Sequence, residues 1–444
     1  MEKENVMGTK KMLPLLMSLG LPPMISMLIQ SMYNIIDSIF VASLGEKALT
    51  AVSLVFPLQN ITLAVAVGLG VGINSVVARG LGSHNKKEVD SATAHAFILT
   101  LIHSLLFVIM GYFLSEPFLQ MFTNDKEILA WGIEYSRIVV CLSFGFMFHI
   151  YIEKLFQAEG NVVMPMIMQI VGAIVNIVLD PIFIFGWFGI PAMGVRGAAI
   201  ATVTGQIVAC AVSFILFFKS KSSITLSFKN FKWSHQVISK IYYVAIPSSL
   251  LTAMPSLLVT ILNGILASIS QSAVAVFGLY FKVQNFVYMP ACGIVQGLRP
   301  IIGYNYGAKK YDRIKQAIKT SVLVIGLIML VGTLMFLIIP DMILTMFSAS
   351  DDMMTMGINA FRIICLGFIP STVGVVLSGV FEALGYGKES LIISILRQMS
   401  IIPGLSLILK GVFGLNGIWM TFVIAECVSA LVAYVLYKKR IALL

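Results

Sequence analysis

Apolar runs long enough to cross a lipid bilayer recur from Leu13 to Tyr437, separated only by short polar breaks; 97–114, 164–188, 320–339 and 418–436 are four of them. A hydrocarbon core of roughly 30 Å takes about 20 mostly apolar residues to span. Lipid offers no hydrogen bonds, so the backbone must satisfy itself, as a helix does within one segment. The chain is 58% hydrophobic and only 11% charged, with a mean hydropathy of +0.95. A soluble domain carries about a quarter charged residues, so lipid is the main solvent this sequence is written for. The short, mixed-charge stretch 1–11 leads directly into the first apolar run. Pro22 and Pro23 interrupt that run and no A-x-A site ends it, so a retained helix is expected rather than a signal peptide.

The net charge of +10 is a topology signal more than a sign of nucleic acid. Basic residues gather in alternate loops: Lys10 and Lys11; Arg79, Lys86 and Lys87; the lysines between Lys219 and Lys240; Arg299 to Lys319; Lys388; and Lys438 to Arg440. The loops between them hold only Lys47, Lys126, Arg196 and Lys410. Positive residues stay on the cytoplasmic side, which puts both termini there and requires an even number of spans. The five cysteines lie inside apolar segments with no C-x-x-C pair, which fits small packing residues and neither a disulfide framework nor a metal site.

Hydropathy and turn residues predict helices near 13–42, 48–79, 89–115, 127–158, 162–187 and 193–219, then near 237–268, 273–304, 313–339, 352–384, 387–409 and 413–437. The polar stretch 220–240 is the natural cytoplasmic linker between an N-terminal six-helix bundle, 1–219, and a C-terminal one, 241–444. The halves repeat. An offset of 225 residues (247 − 22) pairs Pro22 with Pro247, Gln59 with Gln284, Asn60 with Asn285, Gly68 with Gly293, Gly72 with Gly297, Arg137 with Arg362 and Gly160 with Gly385. One register over four helices marks a duplicated unit. Six spans per unit make the repeats parallel, related by a pseudo-two-fold axis along the membrane normal, and transporters of that plan bind between the halves near mid-membrane.

A carboxylate at mid-bilayer costs about 2.5–3.5 kcal/mol on insertion scales, so each one asks for a partner or a function. Asp37 lies late in the first helix in Q-S-M-Y-N-I-I-D, with Tyr33 and Asn34 on the same side. Asp180 lies in the fifth, in V-N-I-V-L-D-P, with Asn176 one turn earlier. Glu153 lies in the fourth, beside Lys154, which could neutralise it. Tyr135, Thr202 and Gln206 add polar groups in the same half. Burial raises the proton affinity of a carboxyl, and amide and hydroxyl neighbours can solvate a bare cation. Such a cluster can hold a proton, a sodium ion or an organic cation by turns, and that competition is an exchange mechanism. The alternative role is interhelical bracing, worth about 0.6–2 kcal/mol per bond. The offset places Leu262 opposite Asp37 and Leu405 opposite Asp180, so the second half has not kept these acids; it offers Lys282, Glu382, Arg397 and Glu426 instead. His95, His103 and His149 read as packed or interfacial, and Gly68, Gly72, Gly293 and Gly297 as sites of close helix approach. Pro22 and Pro23 cannot donate backbone hydrogen bonds, so a bend in the first helix is expected.

At these residues the chain resembles the multidrug and toxic compound extrusion (MATE) family, over about 13–437. The matching pieces are Y-N-I-I-D-S-I-F-V-A-S-L-G at 33–45, Q-A-E-G-N at 157–161, N-I-V-L-D-P-I-F at 176–183, Y-F-K-V-Q-N-F at 280–286, G-L-R-P-I-I-G-Y-N-Y-G-A at 297–308 and F-E-A-L-G at 381–385. The resemblance implies an all-α polytopic fold of twelve helices in two six-helix bundles around a V-shaped cavity. It also implies export of cationic amphipathic drugs against inward H+ or Na+, with no other cofactor. By motif match Asp37 stands at the family's first-helix acid, and Asn176 and Asp180 at its fifth-helix pair, with Tyr135 and Thr202 completing the cluster. Lys282 and Arg397 are supporting polar candidates of the second half; branches with essential acids in helices 7 and 10 are not matched, since Leu262 and Asn263 stand in helix 7.

The nearest alternative is a lipid-linked precursor flippase of the same superfamily, which would line its cavity with several basic residues for pyrophosphate, where only Lys282 and Arg397 offer themselves. An enzyme would need clustered catalytic sets within the spans, and Asp351 with Asp352 stand at a helix entrance without partners. The expected protein is a monomer in the plasma (inner) membrane with no nucleic-acid partner.

Overall fold

The computed structural model describes residues 5–220, 222–229, 231–347 and 351–441. Ten helices among the described residues are long and apolar enough to cross a membrane. In chain order the helices are α1 (Met12–Ala42), α2 (Glu46–Gly82), α3 (Lys86–Gln120), α4 (Lys126–Ala158), α5 (Val163–Phe185), α6 (Val195–Lys219), α7 (His235–Ala267), α8 (Gln271–Gly307), α9 (Tyr311–Ile338) and α10 (Asp351–Leu384). The long stretch Gly387–Arg440 is two helices, because Gly414 has φ 60 and ψ −140 inside it. We label its parts α11 (387–413) and α12 (415–440). α8 is absent from the ten because Lys282, Gln284, Asn285 and Arg299 lower its hydropathy. With α8 and the division at Gly414 the long helices among the described residues number twelve, and the chain is an all-helical polytopic membrane protein.

The duplication written in the sequence is also written in the backbone. His84 and Lys309, at the offset of 225, both hold a left-handed conformation, φ 54 and φ 57. Gly160 and Gly385, another pair at that offset, do the same at φ 83 and φ 84. The second pair explains itself: each follows a helix whose last carbonyls need a left-handed residue to turn back on, and only glycine takes that conformation without strain.

Two compact units form, one of Ile25–Ser249 and one of Met1–Met24 with Leu250–Leu444. The sequence division set the halves at 1–219 and 241–444; in the structure the boundaries fall inside α1, just after Pro22 and Pro23, and inside α7, just after Pro247. The reason is glycine. In the first unit a Cβ on Gly68 would lie 2.5 Å from the backbone nitrogen of Ser249 and 2.7 Å from the Ala245 carbonyl, so α2 runs directly against the first half of α7. In the second unit a Cβ on Gly293 would lie 2.8 Å from Cα of Met24, and one on Gly297 would lie 2.6 Å from the nitrogen of Gly20, so α8 runs against the first half of α1. The close approaches expected at these four glycines are thus present, and they bind each helix half to the repeat it does not belong to. Small residues allow this in a membrane, where association rests on van der Waals contact rather than on expulsion of water.

Each unit has its own core. Unit Ile25–Ser249 packs aliphatic and aromatic side chains of α2, α3, α4 and α6, among them Ile73, Val77, Leu155, Phe156 and Phe217, all under 5% exposed. The other unit is held by an aromatic cluster: Phe336 lies 4.9 Å from Phe361 and 5.3 Å from Phe368, and Tyr280 packs against both Phe336 and Phe361. Leu105, Phe113, Leu323 and Val331, each more than half exposed, present the outer faces that lipid would cover.

The stretch between α6 and α7 is fastened to the unit it follows. Glu159 accepts hydrogen bonds from the Ser223 nitrogen at 2.6 Å, the Ser223 hydroxyl at 2.7 Å and the Ile224 nitrogen at 3.1 Å. Nε2 of His95 accepts from the Ser234 nitrogen at 2.8 Å while Phe231 and Trp233 pack on its ring. In the other unit the N-terminal turn is bound likewise: the Met7 carbonyl accepts from Asn305 at 3.0 Å and from Arg313 at 3.1 Å.

Candidate functional site

The polar residues singled out in the first half of the sequence converge inside the unit Ile25–Ser249. Tyr33, Asn34 and Asp37 from α1, Tyr135 from α4, and Thr202 and Gln206 from α6 all line one cavity of about 550 Å³. That volume is in the range that takes a drug-sized molecule. Val52, Phe56 and Phe146 supply apolar wall. Gln59 of α2 also lines it and donates to the Tyr135 hydroxyl at 3.5 Å, a long bond. Sequence reasoning noted Gln59 only as one of the repeated positions; its recurrence as Gln284 was the available signal.

Asn176 and Asp180 stand behind this cavity on α5. Asn176 Nδ2 donates to Asp180 Oδ1 at 3.4 Å and to Thr202 Oγ1 at 3.5 Å. A carboxylate can only accept, so the amide's orientation is fixed: Nδ2 faces Asp180 and Oδ1 faces away. Glycine again sets the geometry. A Cβ on Gly205 would lie 2.8 Å from the Gly172 carbonyl oxygen, so α5 and α6 touch backbone to backbone one turn from Asn176 and Thr202. Asp180 is fully buried and Asn176 is 3% exposed.

Two buried acceptor atoms of residues that line this cavity, Asp37 Oδ1 and Gln206 Oε1, have no hydrogen-bond partner, and neither have Asn176 Oδ1 and Asp180 Oδ2 behind it. A buried polar atom without a partner costs about 1–3 kcal/mol, and more when the group is charged. Four acceptors gathered together call for something that brings hydrogen-bond donors or positive charge. Either a proton or a cation answers that demand.

The remaining sequence candidates lie elsewhere. Glu153 is engaged by its own helix: Lys154 Nζ donates to Glu153 Oε1 at 2.6 Å, and Gln157 Nε2 donates to the same oxygen at 2.8 Å. Arg397 and Lys282 belong to the other unit. Arg397 sits on a π-helical turn, 395–400, donates through Nε to Glu426 at 2.6 Å and lies over the Tyr288 ring at 5.3 Å. Lys282 is exposed and forms no ion pair among the described residues. Glu382, which stood near a helix end in the sequence, accepts two bonds from Arg299, at 2.6 and 3.0 Å. Among the described residues no group of three or more His, Cys, Asp or Glu is placed to hold a metal.

Fold and site together define a two-repeat helical membrane protein with an acidic, drug-sized cavity in one repeat. The family model described as MatE matches twice, over residues 22–182 and 245–405, and the chain belongs to this family of transporters. Among curated proteins it is 26% identical to the multidrug export protein MepA of Staphylococcus aureus over 420 residues, covering 94% of this chain and 92% of that one. It is equally similar to MepA of Staphylococcus saprophyticus. Among solved structures, a MATE crystallised in complex with MaL6 superposes with a TM-score of 0.91 at 27% identity, covering 100% of this chain and 99% of that one. An outward-facing multidrug resistance MATE transporter superposes at 0.88, with 28% identity and 98% of each chain covered. A transporter of the wider superfamily from Pyrococcus furiosus, whose binding pocket is described as of reverse polarity, superposes at 0.90 with 26% identity, covering 98% of this chain and 97% of that one.

Proposed function

We propose that this protein is a secondary active exporter of cationic amphipathic compounds, driven by inward flow of H+ or Na+. The observation that carries the reading is the set of partnerless oxygens of Asp37 and Gln206, which line a cavity of about 550 Å³, and of Asn176 and Asp180 behind it. Asp37 is the residue at which drug and coupling ion compete, since it lines the cavity and one of its carboxylate oxygens has no partner. Asp180, two hydrogen bonds behind the wall through Asn176 and Thr202, holds the coupling ion with those two residues. Tyr33, Asn34 and Tyr135 orient the guest. Each pH unit of gradient supplies about 1.4 kcal/mol per proton, and each 100 mV about 2.3 kcal/mol per charge, so one or two ions concentrate a drug tenfold or more. The relatives named as multidrug exporters support the same reading. The protein works as a monomer in the plasma membrane with both termini in the cytoplasm, an orientation that the alternation of basic loops supports.

The test is ethidium transport in proteoliposomes with pH and sodium gradients imposed separately. Transport follows one gradient and is abolished in Asp37→Asn, which inserts normally. Export by Asp37→Asn at the native rate removes Asp37 from the mechanism; no response to either gradient, with transport intact, removes ion coupling.

A further inference from the structure

Beside the main cavity lies a second one of about 40 Å³ that shares Gln30, Tyr33, Thr202 and Gln206 with it. It faces a histidine for which the exporter reading has no use. His149 of α4 is 3% exposed, and its Nδ1 lies 2.9 Å from the Ser213 hydroxyl. That hydroxyl has one proton and donates it to the Ala209 carbonyl at 2.7 Å. Only lone pairs remain on the Ser213 oxygen, so Nδ1 carries the hydrogen and donates it, and Nε2 is left as a bare acceptor. Nε2 is buried and has no hydrogen-bond partner.

Two other side chains lining the same small cavity are in the same condition, Gln206 through Oε1 and Asn176 through Oδ1. A water molecule's share of liquid is about 30 Å³, so the space admits one small guest. Three partnerless acceptors call for a guest that brings hydrogen-bond donors or positive charge, and a monovalent cation brings the charge in the smallest volume. We propose that His149, Gln206 and Asn176 form an inner subsite for the monovalent coupling cation, a second station adjoining the Asp37 cavity. The inference rests on the exporter reading and specifies where a further ion is held. A proton forms an N–H bond on Nε2 and leaves by the same bond; a sodium ion is held by the three acceptors without any covalent change. Asn176 also bonds Asp180, so occupancy of the subsite is felt one side chain away at the carboxylate.

The groups around the imidazole are few. Glu153 and Lys154 follow one turn later on α4 and engage each other at 2.6 Å, which leaves the imidazole facing an ion pair and not a lone charge. Gln169 faces it from α5, Ser213 from α6, and Gln30 and Tyr33 share the cavity from α1.

The experiment is imidazole nitrogen NMR on the full-length protein in lipid nanodiscs, labelled at histidine, with His149 assigned by its loss in His149→Gln. If that variant does not insert, replacing the other four of the five histidines leaves the one resonance. The starting state is the Nδ1–H tautomer. A proton station shows Nε2 titrating between about pH 5 and 8, with no response to sodium chloride over choline chloride. A sodium station shows Nε2 moving with sodium at fixed pH. Gln206→Leu weakens either response severalfold. A resonance that moves with neither overturns the proposal, as does a response indifferent to Gln206→Leu. Failure of the exporter reading is separately visible: Asp37→Asn then exports normally whatever His149 does.

Discussion

Replacing Gly205 by alanine tests whether the touch between α5 and α6 sets the site. The new Cβ would lie 2.8 Å from the Gly172 carbonyl oxygen and 3.1 Å from Cβ of Asn176. Ordinary contact begins at 3.4 Å, and the obstacle is backbone, which no rotamer change can move aside. The helices must part by about half an ångström, an overpacking that costs about 1–3 kcal/mol. Alanine regains about 1 kcal/mol in helix propensity over glycine. The fair comparison is therefore Gly264→Ala in α7, where a Cβ meets nothing within 4 Å and only the propensity gain applies. Between the two variants the thermal midpoint in detergent should differ by several degrees, at roughly 2–4 °C per kcal/mol for a unit of this size. Function should suffer too: the Asn176–Thr202 bond is already 3.5 Å long and does not survive further separation. Coupled transport by Gly205→Ala should need a larger ion gradient than that by Gly264→Ala. Equal midpoints would refute the packing argument; a lower midpoint with unchanged ion dependence would refute the claim that this contact positions the ion site.

Other perturbations have equally definite outcomes. Asp180→Asn should shift the coupling-ion dependence of transport in vesicles, and an unchanged dependence would leave Asp180 a brace. Glu382→Gln should destabilise the unit containing α8 and α10 by about 3–5 kcal/mol, because Arg299 is left unpaired inside; adding Arg299→Met should recover most of the loss, and thermal unfolding of the single and double variants decides it. Glu159→Ala should open the stretch 222–234 to protease at the native temperature while transport persists, since three bonds to Ser223 and Ile224 disappear. Asp125, the N-cap of α4, is held below the usual carboxylate range by the Ile128 backbone N–H and then by Lys47. Its contribution is present above the ordinary carboxylate pKa and fades as the pH falls through the lowered value; the wild-type midpoint should thus decline with acid more than that of Asp125→Ala, and parallel declines would remove Asp125 from the balance.

The sequence displayed what depends on local pattern. Apolar length gave the helices to within a few residues, and the break expected between 409 and 413 appears at Gly414, whose conformation only glycine takes easily. Asp37, Asn176 and Asp180 were visible because an acid or amide in an apolar run is costly whatever surrounds it. Tertiary partners were not visible. Arg299 and Glu382 are 83 residues apart, and nothing local announces that the helices carrying them face each other. Glu153 carried its neutralising partner next to it in the chain, and there the sequence did hint at the pair. His149 read as packing because the decisive fact is the direction of one hydroxyl proton on Ser213, 64 residues away.

Exchange of the leading halves of α1 and α7 bears on how the molecule is made. The unit Ile25–Ser249 is continuous in the chain and can close as soon as Ser249 has emerged from the ribosome. The other cannot: Met1–Met24 are synthesised first, yet their partners in α8 and α9, such as Asn305 and Arg313, arrive some three hundred residues later. Contacts so distant in sequence form slowly. During biosynthesis the segment leading into α1 must therefore wait in the membrane, without its permanent neighbours, until α8 and α9 have been made.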